Sequence, residues 1–161
     1  LQGGTPRTFS LYTNFDQEIT SYGVGLGLTY RFNRNFEFFG NYSWADFSLD
    51  EEEGDFNAGF NTPNNRFTVG LTGKNLIDHL GFNVSYRWQE EFFYSSSFGR
   101  GNMPSFGVLD AQISYRIPGI KTEIKVGGSN LGGDNYRTNV GNPFIGQIYY
   151  VALTFDQFMA N

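Results

Sequence analysis

The sequence predicts an all-β protein: a transmembrane antiparallel up-and-down β-barrel, with about eight strands in this chain. Three observations predict it. Apolar and polar residues alternate with period two along most of the chain. The alternating runs are longer than ordinary globular strands. The connections between them are by turns short and long, as in barrels with one short-turn rim and one long-loop rim.

Taken in order, residues 8–15 put Phe9, Leu11 and Phe15 on one face and Ser10, Tyr12 and Asn14 on the other. Residues 20–32 oppose Tyr22, Val24, Leu26, Leu28, Tyr30 and Phe32 to Gly23, Gly25, Gly27, Thr29 and Arg31. Residues 36–46 set Phe36, Phe38, Tyr42 and Trp44 against Glu37, Asn41 and Ser43. Residues 65–73 set Phe67, Val69 and Leu71 against Arg66, Thr68 and Thr72. Residues 81–92 set Phe82, Val84, Tyr86 and Trp88 against Asn83, Ser85, Arg87 and Gln89. Residues 108–117 set Leu109, Ala111, Ile113, Tyr115 and Ile117 against Asp110, Gln112, Ser114 and Arg116. Residues 121–130 set Thr122, Ile124 and Val126 against Lys121, Glu123 and Lys125, and residues 145–155 set Tyr149, Val151, Leu153 and Phe155 against Gly146, Tyr150 and Thr154.

These runs reach roughly 9–13 residues, near the length a tilted membrane strand needs. Their charges keep parity: Arg31, Glu37, Arg66, Arg87, Asp110, Arg116, Glu123 and Lys125 all fall on the polar face. A membrane strand needs this, because Arg or Lys facing lipid at midplane costs about 2–4 kcal/mol. Short connections fall at 33–35, 74–80 and 118–120, and long ones at 47–64, 93–107 and 131–144. The segment 16–19 departs from the pattern, being short where the outer side is expected. Trp44 and Trp88 end strands climbing toward the long-loop rim, while Phe32, Phe36, Phe82 and Phe155 mark the opposite rim. Aromatics so placed suit the two membrane–water interfaces. A soluble β-sandwich alternates in the same way, but strand length, rim aromatics and loop asymmetry speak against it.

Composition narrows the function classes. No run of about 20 apolar residues exists for a spanning helix. The net charge of −5 leaves no basic stripe for nucleic acid. The absence of cysteine removes disulfides and thiolate metal sites. The start, Leu1 to Arg7, has neither the charged nor the apolar region of a signal peptide, so 1–161 reads as a single barrel segment, mature or internal to something longer.

Catalytic chemistry is not expected. His79 stands alone in a turn, Ser95-Ser96-Ser97 reads as loop, and Gly99-Arg100-Gly101 and Gly132-Gly133 read as turns with no helix following. The acidic run 50–55 offers oxygens for Ca²⁺ but lacks the EF-hand spacing, and a solvated loop is the better reading. No enzyme, cofactor or metal site is predicted.

The last strand, Gly146-Gln147-Ile148-Tyr149-Tyr150-Val151-Ala152-Leu153-Thr154-Phe155, resembles the C-terminal signature by which outer-membrane barrels are recognised for assembly, with Gly146, Tyr149, Val151, Leu153 and Phe155 in the matching places. It departs from the pattern by the tail 156–161, where such chains usually end on the aromatic. Further segments resemble the C-terminal barrel region of Bacteroidetes-type TonB-dependent outer-membrane receptors. They are Thr20 to Val24, Asn41-Tyr42-Ser43-Trp44, Asn61 to Phe67, Ser85-Tyr86-Arg87-Trp88-Gln89, Val108 to Gln112, and Ser129-Asn130-Leu131 followed by Tyr136-Arg137.

The resemblance implies the last eight strands of a 22-stranded barrel, with the plug domain and the TonB-engaging segment outside this chain. It implies nutrient uptake across the outer membrane. The partners it implies are outer-membrane lipid, the rest of the barrel and its plug, TonB through the N-terminal part, the barrel-assembly machinery and other envelope proteins. Two alternatives stay open: a self-closed eight-stranded barrel of OmpA or OmpX type, structural or adhesive, and a receptor-like barrel serving as an accessory subunit of an envelope complex. The glycine-rich polar face of 20–32 weighs against self-closure, because a small barrel fills its lumen with side chains.

Overall fold

The computed structural model describes residues 18–49, 60–97 and 99–155. The strands are β1 (Ile19–Arg31), β2 (Phe36–Leu49), β3 (Asn65–Gly73), β4 (Leu80–Gln89), β5 (Phe92–Ser96), β6 (Gly99–Met103), β7 (Phe106–Ile117), β8 (Thr122–Ser129) and β9 (Ile148–Phe155). Seven of them form one sheet in the order β1-β2-β3-β4-β7-β8-β9, and every pairing is antiparallel. Order in space thus follows order in sequence, which is up-and-down topology. Strands β5 and β6 make a separate hairpin. Among the described residues β1 and β9 do not pair with each other, so the sheet is an open segment of wall rather than a closed barrel.

Turn chemistry explains the short rim. Asn33 Oδ1 accepts the backbone N–H groups of Asn35 (2.8 Å) and Phe36 (3.0 Å), closing the β1–β2 turn from its own side chain. In the β3–β4 turn Asn75 and His79 adopt positive φ, and the His79 carbonyl accepts the Arg116 N–H at 3.0 Å. The β7–β8 turn is a 3-10 turn, Pro118–Ile120, that ends on left-handed Lys121.

The register fixes the two faces, because residues directly opposite one another point the same way. On one face Leu26 meets Tyr42, Tyr42 meets Phe67, Phe67 meets Trp88, Phe82 meets Ile113 and Val126 meets Val151. On the other, Gly25 meets Ser43, Thr68 meets Arg87, Asn83 meets Gln112 and Glu123 meets Thr154. The charges of the described sheet keep the predicted parity except Asp46, at the long-loop end of β2 opposite Tyr22, which falls on the apolar face.

Among the described residues no second layer covers the apolar face: the main contacts of each strand are with its ladder neighbours. Among the described residues the buried hydrophobics are Met103 and Val108, while Leu26, Ile113, Val151, Leu153 and Phe155 stand 58–72% exposed (Ile113 lowest, Phe155 highest). Each such side chain would gain about 1.5–3 kcal/mol by leaving water. A sheet of this kind needs an apolar solvent, which is why the sandwich alternative fails.

Glycines let the wall pack within its own layer. A Cβ at Gly70 would overlap the Phe39 ring on the polar face, and one at Gly107 would overlap Tyr86 on the apolar face. Each ring lies over a neighbouring glycine, filling a side chain's place. Gly70→Val should therefore destabilise the protein by about 1–3 kcal/mol through overpacking. Adding Phe39→Ala should recover part of that loss in thermal unfolding, whereas strictly additive losses would show that the two do not meet.

Several boundaries differ from the sequence pattern. The segment 93–107, expected as loop, contains most of the β5–β6 hairpin, from Phe92 to Met103. The last strand starts at Ile148 rather than 145, because Ile145 instead bridges to Tyr136. It pairs with β8, as expected for the final described strand. Trp44 and Trp88 are half-buried, since Tyr22 packs on Trp44 and Phe67 stacks on Trp88 within the same face. The expected strand at 8–15, the acidic run 50–55 and the tail 156–161 lie outside the described residues.

Candidate functional site

The polar face differs between its two ends. At the short-turn end it carries two ion pairs, Arg31 with Glu37 at 2.6 Å and Lys125 with Glu123 at 3.1 Å. Arg116 lies opposite Glu123 in the ladder. Nearer the long-loop end stand Arg66 and Arg87, both exposed, with no carboxylate ion-paired to either among the described residues. The register puts Arg66 opposite Gln89 and Thr68 opposite Arg87, so the two arginines are diagonal neighbours on one face. They border a concavity of about 310 Å³ lined also by Asn41, Ser43, Thr68, Gln89 and Phe106.

A buried corner positions the loop beside them. Strand β8 ends at Ser129, and Asn130 follows in the left-handed conformation (φ 58°), fully buried. Asp110 Oδ1 on β7 accepts both the Ser129 hydroxyl and the Asn130 N–H, the latter at 3.1 Å. Asn130 Nδ2 donates to the Asp134 carbonyl at 3.2 Å, and Leu131 N–H donates to the Leu109 carbonyl at 2.8 Å. Asn tolerates this backbone better than other non-glycine residues, and Gly132 (φ 70°) continues the turn.

So directed, the loop lies against the polar face. Tyr136 stacks on Phe106 with ring centroids 4.4 Å apart, and its hydroxyl accepts Arg87 Nη2 at 3.0 Å. Tyr136 also exchanges backbone hydrogen bonds with Ile145, 3.1 and 2.6 Å long. On β9, Tyr150 donates to Gln112 Oε1 at 3.0 Å across the same face. The other outer segments join this cap. The Asn61 side chain both donates to the Ser95 carbonyl (2.9 Å) and accepts its N–H (2.8 Å), fastening the β2–β3 connection to the β5–β6 hairpin.

Three segments that carried the sequence resemblance therefore converge. Those around Arg87, around Asp110 and from Ser129 through Tyr136 meet in one network. The sequence pattern places Arg87 and Asp110 on the polar face but does not show that they meet this loop. The available signal was an Asn followed closely by Gly-Gly directly after an alternating strand, which marks a left-handed turn.

Of the residues predicted to form an assembly signal, Tyr149, Val151, Leu153 and Phe155 share the apolar face of β9 and are exposed. Gly146 lies outside β9, and a Cβ there would stand 3.0 Å from Asn135 Oδ1. Of the rim aromatics, Trp44 and Trp88 lie toward the long-loop ends of β2 and β4. Phe32 and Phe82 lie at the short-turn end, where Phe32 meets Tyr30 edge-on and Phe82 meets Phe36. His79 sits in its turn, and among the described residues no group of His, Asp and Glu is arranged to hold a metal ion. No helix among the described residues is long and apolar enough to cross a membrane, which leaves crossing by strands untouched.

A single-layer antiparallel sheet, apolar on one face and polar on the other, is a segment of membrane β-barrel wall. A family model described as TonB dependent receptor-like, beta-barrel, matches residues 1–131. The chain belongs to that family. The match takes in β1 to β8 and the Asp110–Asn130 corner, and it ends before Tyr136 and β9. Comparison with curated proteins returned no match, and comparison with solved structures returned none either.

Proposed function

We propose that this chain is the C-terminal part of the barrel of a Bacteroidetes-type TonB-dependent importer, which carries a nutrient across the bacterial outer membrane and is not an enzyme. The observation that carries the reading is the open, uncovered wall: its apolar face suits lipid, and β9 has no partner but β8 among the described residues. An unpaired edge in lipid leaves backbone groups unsatisfied at several kcal/mol each. The rest of a larger barrel would satisfy them.

In this reading the long loops face outward and the polar face lines a lumen filled by a plug. TonB acts on that plug through the N-terminal part of the receptor. Trp44, Trp88, Phe32 and Phe82 sit at the two interfaces. Tyr149, Val151, Leu153 and Phe155 are the strand presented to the assembly machinery, with Gly146 just before it. Import is tested by comparing spent media by mass spectrometry. A strain lacking this gene and a strain lacking TonB should both fail to deplete at least one common solute. If the gene's loss spares every solute that TonB's loss affects, the import reading is wrong.

A further inference from the structure

We infer that Arg66 and Arg87 form a binding site for an oxyanion, the carboxylate or phosphate of a small solute whose attached planar or apolar group rests on Phe106. The inference deepens the import reading, on which it rests, by naming the chemistry of what is carried. Its first support is an imbalance of charge. The chain carries a net charge of −5, and at the short-turn end of this face each ion pair supplies its own counter-charge. Arg66 and Arg87 stand as diagonal neighbours, a spacing of about 7–8 Å between strands, with no carboxylate ion-paired to them among the described residues. Asp110, likewise diagonal to Arg87 across the β4–β7 ladder, gives its Oδ1 to Ser129 and Asn130 and is ion-paired to neither arginine; the two guanidiniums repel, and a bound anion removes the repulsion.

The second support is geometry. Both arginines border the same 310 Å³ concavity, together with Ser43, Thr68, Gln89 and Phe106. Hydroxyl and amide groups there can donate to oxygens that the guanidinium forks leave free. Arg87 is held in place: one of its N–H groups goes to the Tyr136 hydroxyl at 3.0 Å, which leaves the others for a ligand. Tyr136 stacks on Phe106 at 4.4 Å, giving the concavity a fixed aromatic wall beside its charges. A guanidinium fork reads a carboxylate or phosphate in two-point contact, which an ammonium does not.

The test uses the full-length receptor in detergent, with phenyl phosphate as probe, inorganic phosphate as the bare oxyanion and benzyl alcohol as the uncharged analogue. Binding is followed by line broadening, of ³¹P for the phosphates and of ¹H for the alcohol. Phenyl phosphate should bind more tightly than inorganic phosphate. Arg66→Gln and Arg87→Gln should each weaken phenyl phosphate at least about tenfold, and Arg66→Lys should weaken it less than Arg66→Gln. Benzyl alcohol should bind equally to all forms, and an unchanged heat-modifiable band certifies that each variant folds. Unaltered phenyl phosphate binding in the Arg66→Gln, Arg87→Gln double variant overturns the inference, and so does no binding by the wild type. If wild type fails to bind and the double variant exposes the plug to protease, the arginines hold a plug carboxylate instead, which equally overturns it. Binding through the arginines with no shared solute loss in the uptake comparison would leave this site standing and defeat the import reading alone.

Discussion

Arginine at position 26 should destabilise the barrel by about 2–4 kcal/mol, while arginine one residue earlier, at position 25, should be tolerated. Both positions lie at the middle of the 13-residue strand β1. Leu26 is on the apolar face, 65% exposed, opposite Tyr42. In lipid, a charge there has no water and no partner. Gly25 is on the polar face opposite Ser43, and a Cβ at Gly25 meets nothing within 4 Å. A long side chain therefore has room, and replacing glycine in a strand removes a conformational cost of about 0.5–1 kcal/mol. The readout is the unfolding temperature of the full-length receptor by heat-modifiable migration, with spin labels at the same two positions. The label at 26 should respond to a lipid-soluble relaxant and the label at 25 to a water-soluble one. Equal losses for the two arginines would contradict a lipid-facing assignment for this side of the wall.

Asp110→Ala should release the loop that follows β8. The Asp110 carboxylate is the acceptor for both Ser129 and the fully buried Asn130 N–H. Its removal leaves two donors without a partner, one of them on fully buried Asn130, at about 1–3 kcal/mol each. Asp110→Asn keeps one carbonyl oxygen and should cost clearly less. The check is limited proteolysis of intact receptor: the alanine variant should be cut between 130 and 147 at protease levels that leave wild type whole. Hydrogen exchange at Asn130 and Leu131 should rise in parallel. Wild-type resistance in the alanine variant would mean that Tyr136, through Phe106 and Arg87, holds the loop unaided.

The contrast between these two predictions shows what was legible in the sequence. Leu26 and Gly25 could be assigned to opposite faces from periodicity alone, because a strand's side-chain period is two and a membrane strand permits no lapse. Periodicity does not say which rings lie over which neighbours. For that reason the stacking of Phe67 on Trp88 is visible only in the structure. Phe39 and Tyr150, aromatic at polar-parity positions, broke the pattern for a reason visible only across the ladder: a Cβ at Gly70 or Gly127 would overlap their rings.

The β5–β6 hairpin was hidden by its composition. Serines 95–97 and the glycines at 99 and 101 are loop residues by preference. Their pairing is supported from outside the segment, by Asn61 and by Val140 packed near Gly99. The Arg66–Arg87 site was half legible. Both residues had been placed on the polar face, but their adjacency needed the β3–β4 register, and the inward turn of Tyr136 depends on Asp110 about twenty residues before Asn130.

The unequal lengths of neighbouring strands bear on the bilayer this wall fits. The β1–β2 ladder runs thirteen rungs, from Ile19↔Leu49 to Arg31↔Glu37, whereas β3 has nine residues and β4 ten. A tilted strand needs about 9–11 residues to cross the hydrocarbon, so the first hairpin stands taller than the wall beside it. Its surplus lies at the long-loop end, where the lipid-facing positions change from Trp44 to Asp46 and Ser48. On β3, Asn65 stands directly opposite Trp44, accepting from the Tyr42 hydroxyl at 2.5 Å and donating to Glu90 at 2.6 Å. The hydrophobic belt thus ends at a height close to the Trp44 rung on both β2 and β3, despite the stepped rim. That height, and not strand length, sets the membrane thickness the receptor accepts. A thicker bilayer would draw Asp46 and the Asn65–Glu90 pair below the headgroups, and a thinner one would leave Tyr22 and Trp44 standing in water.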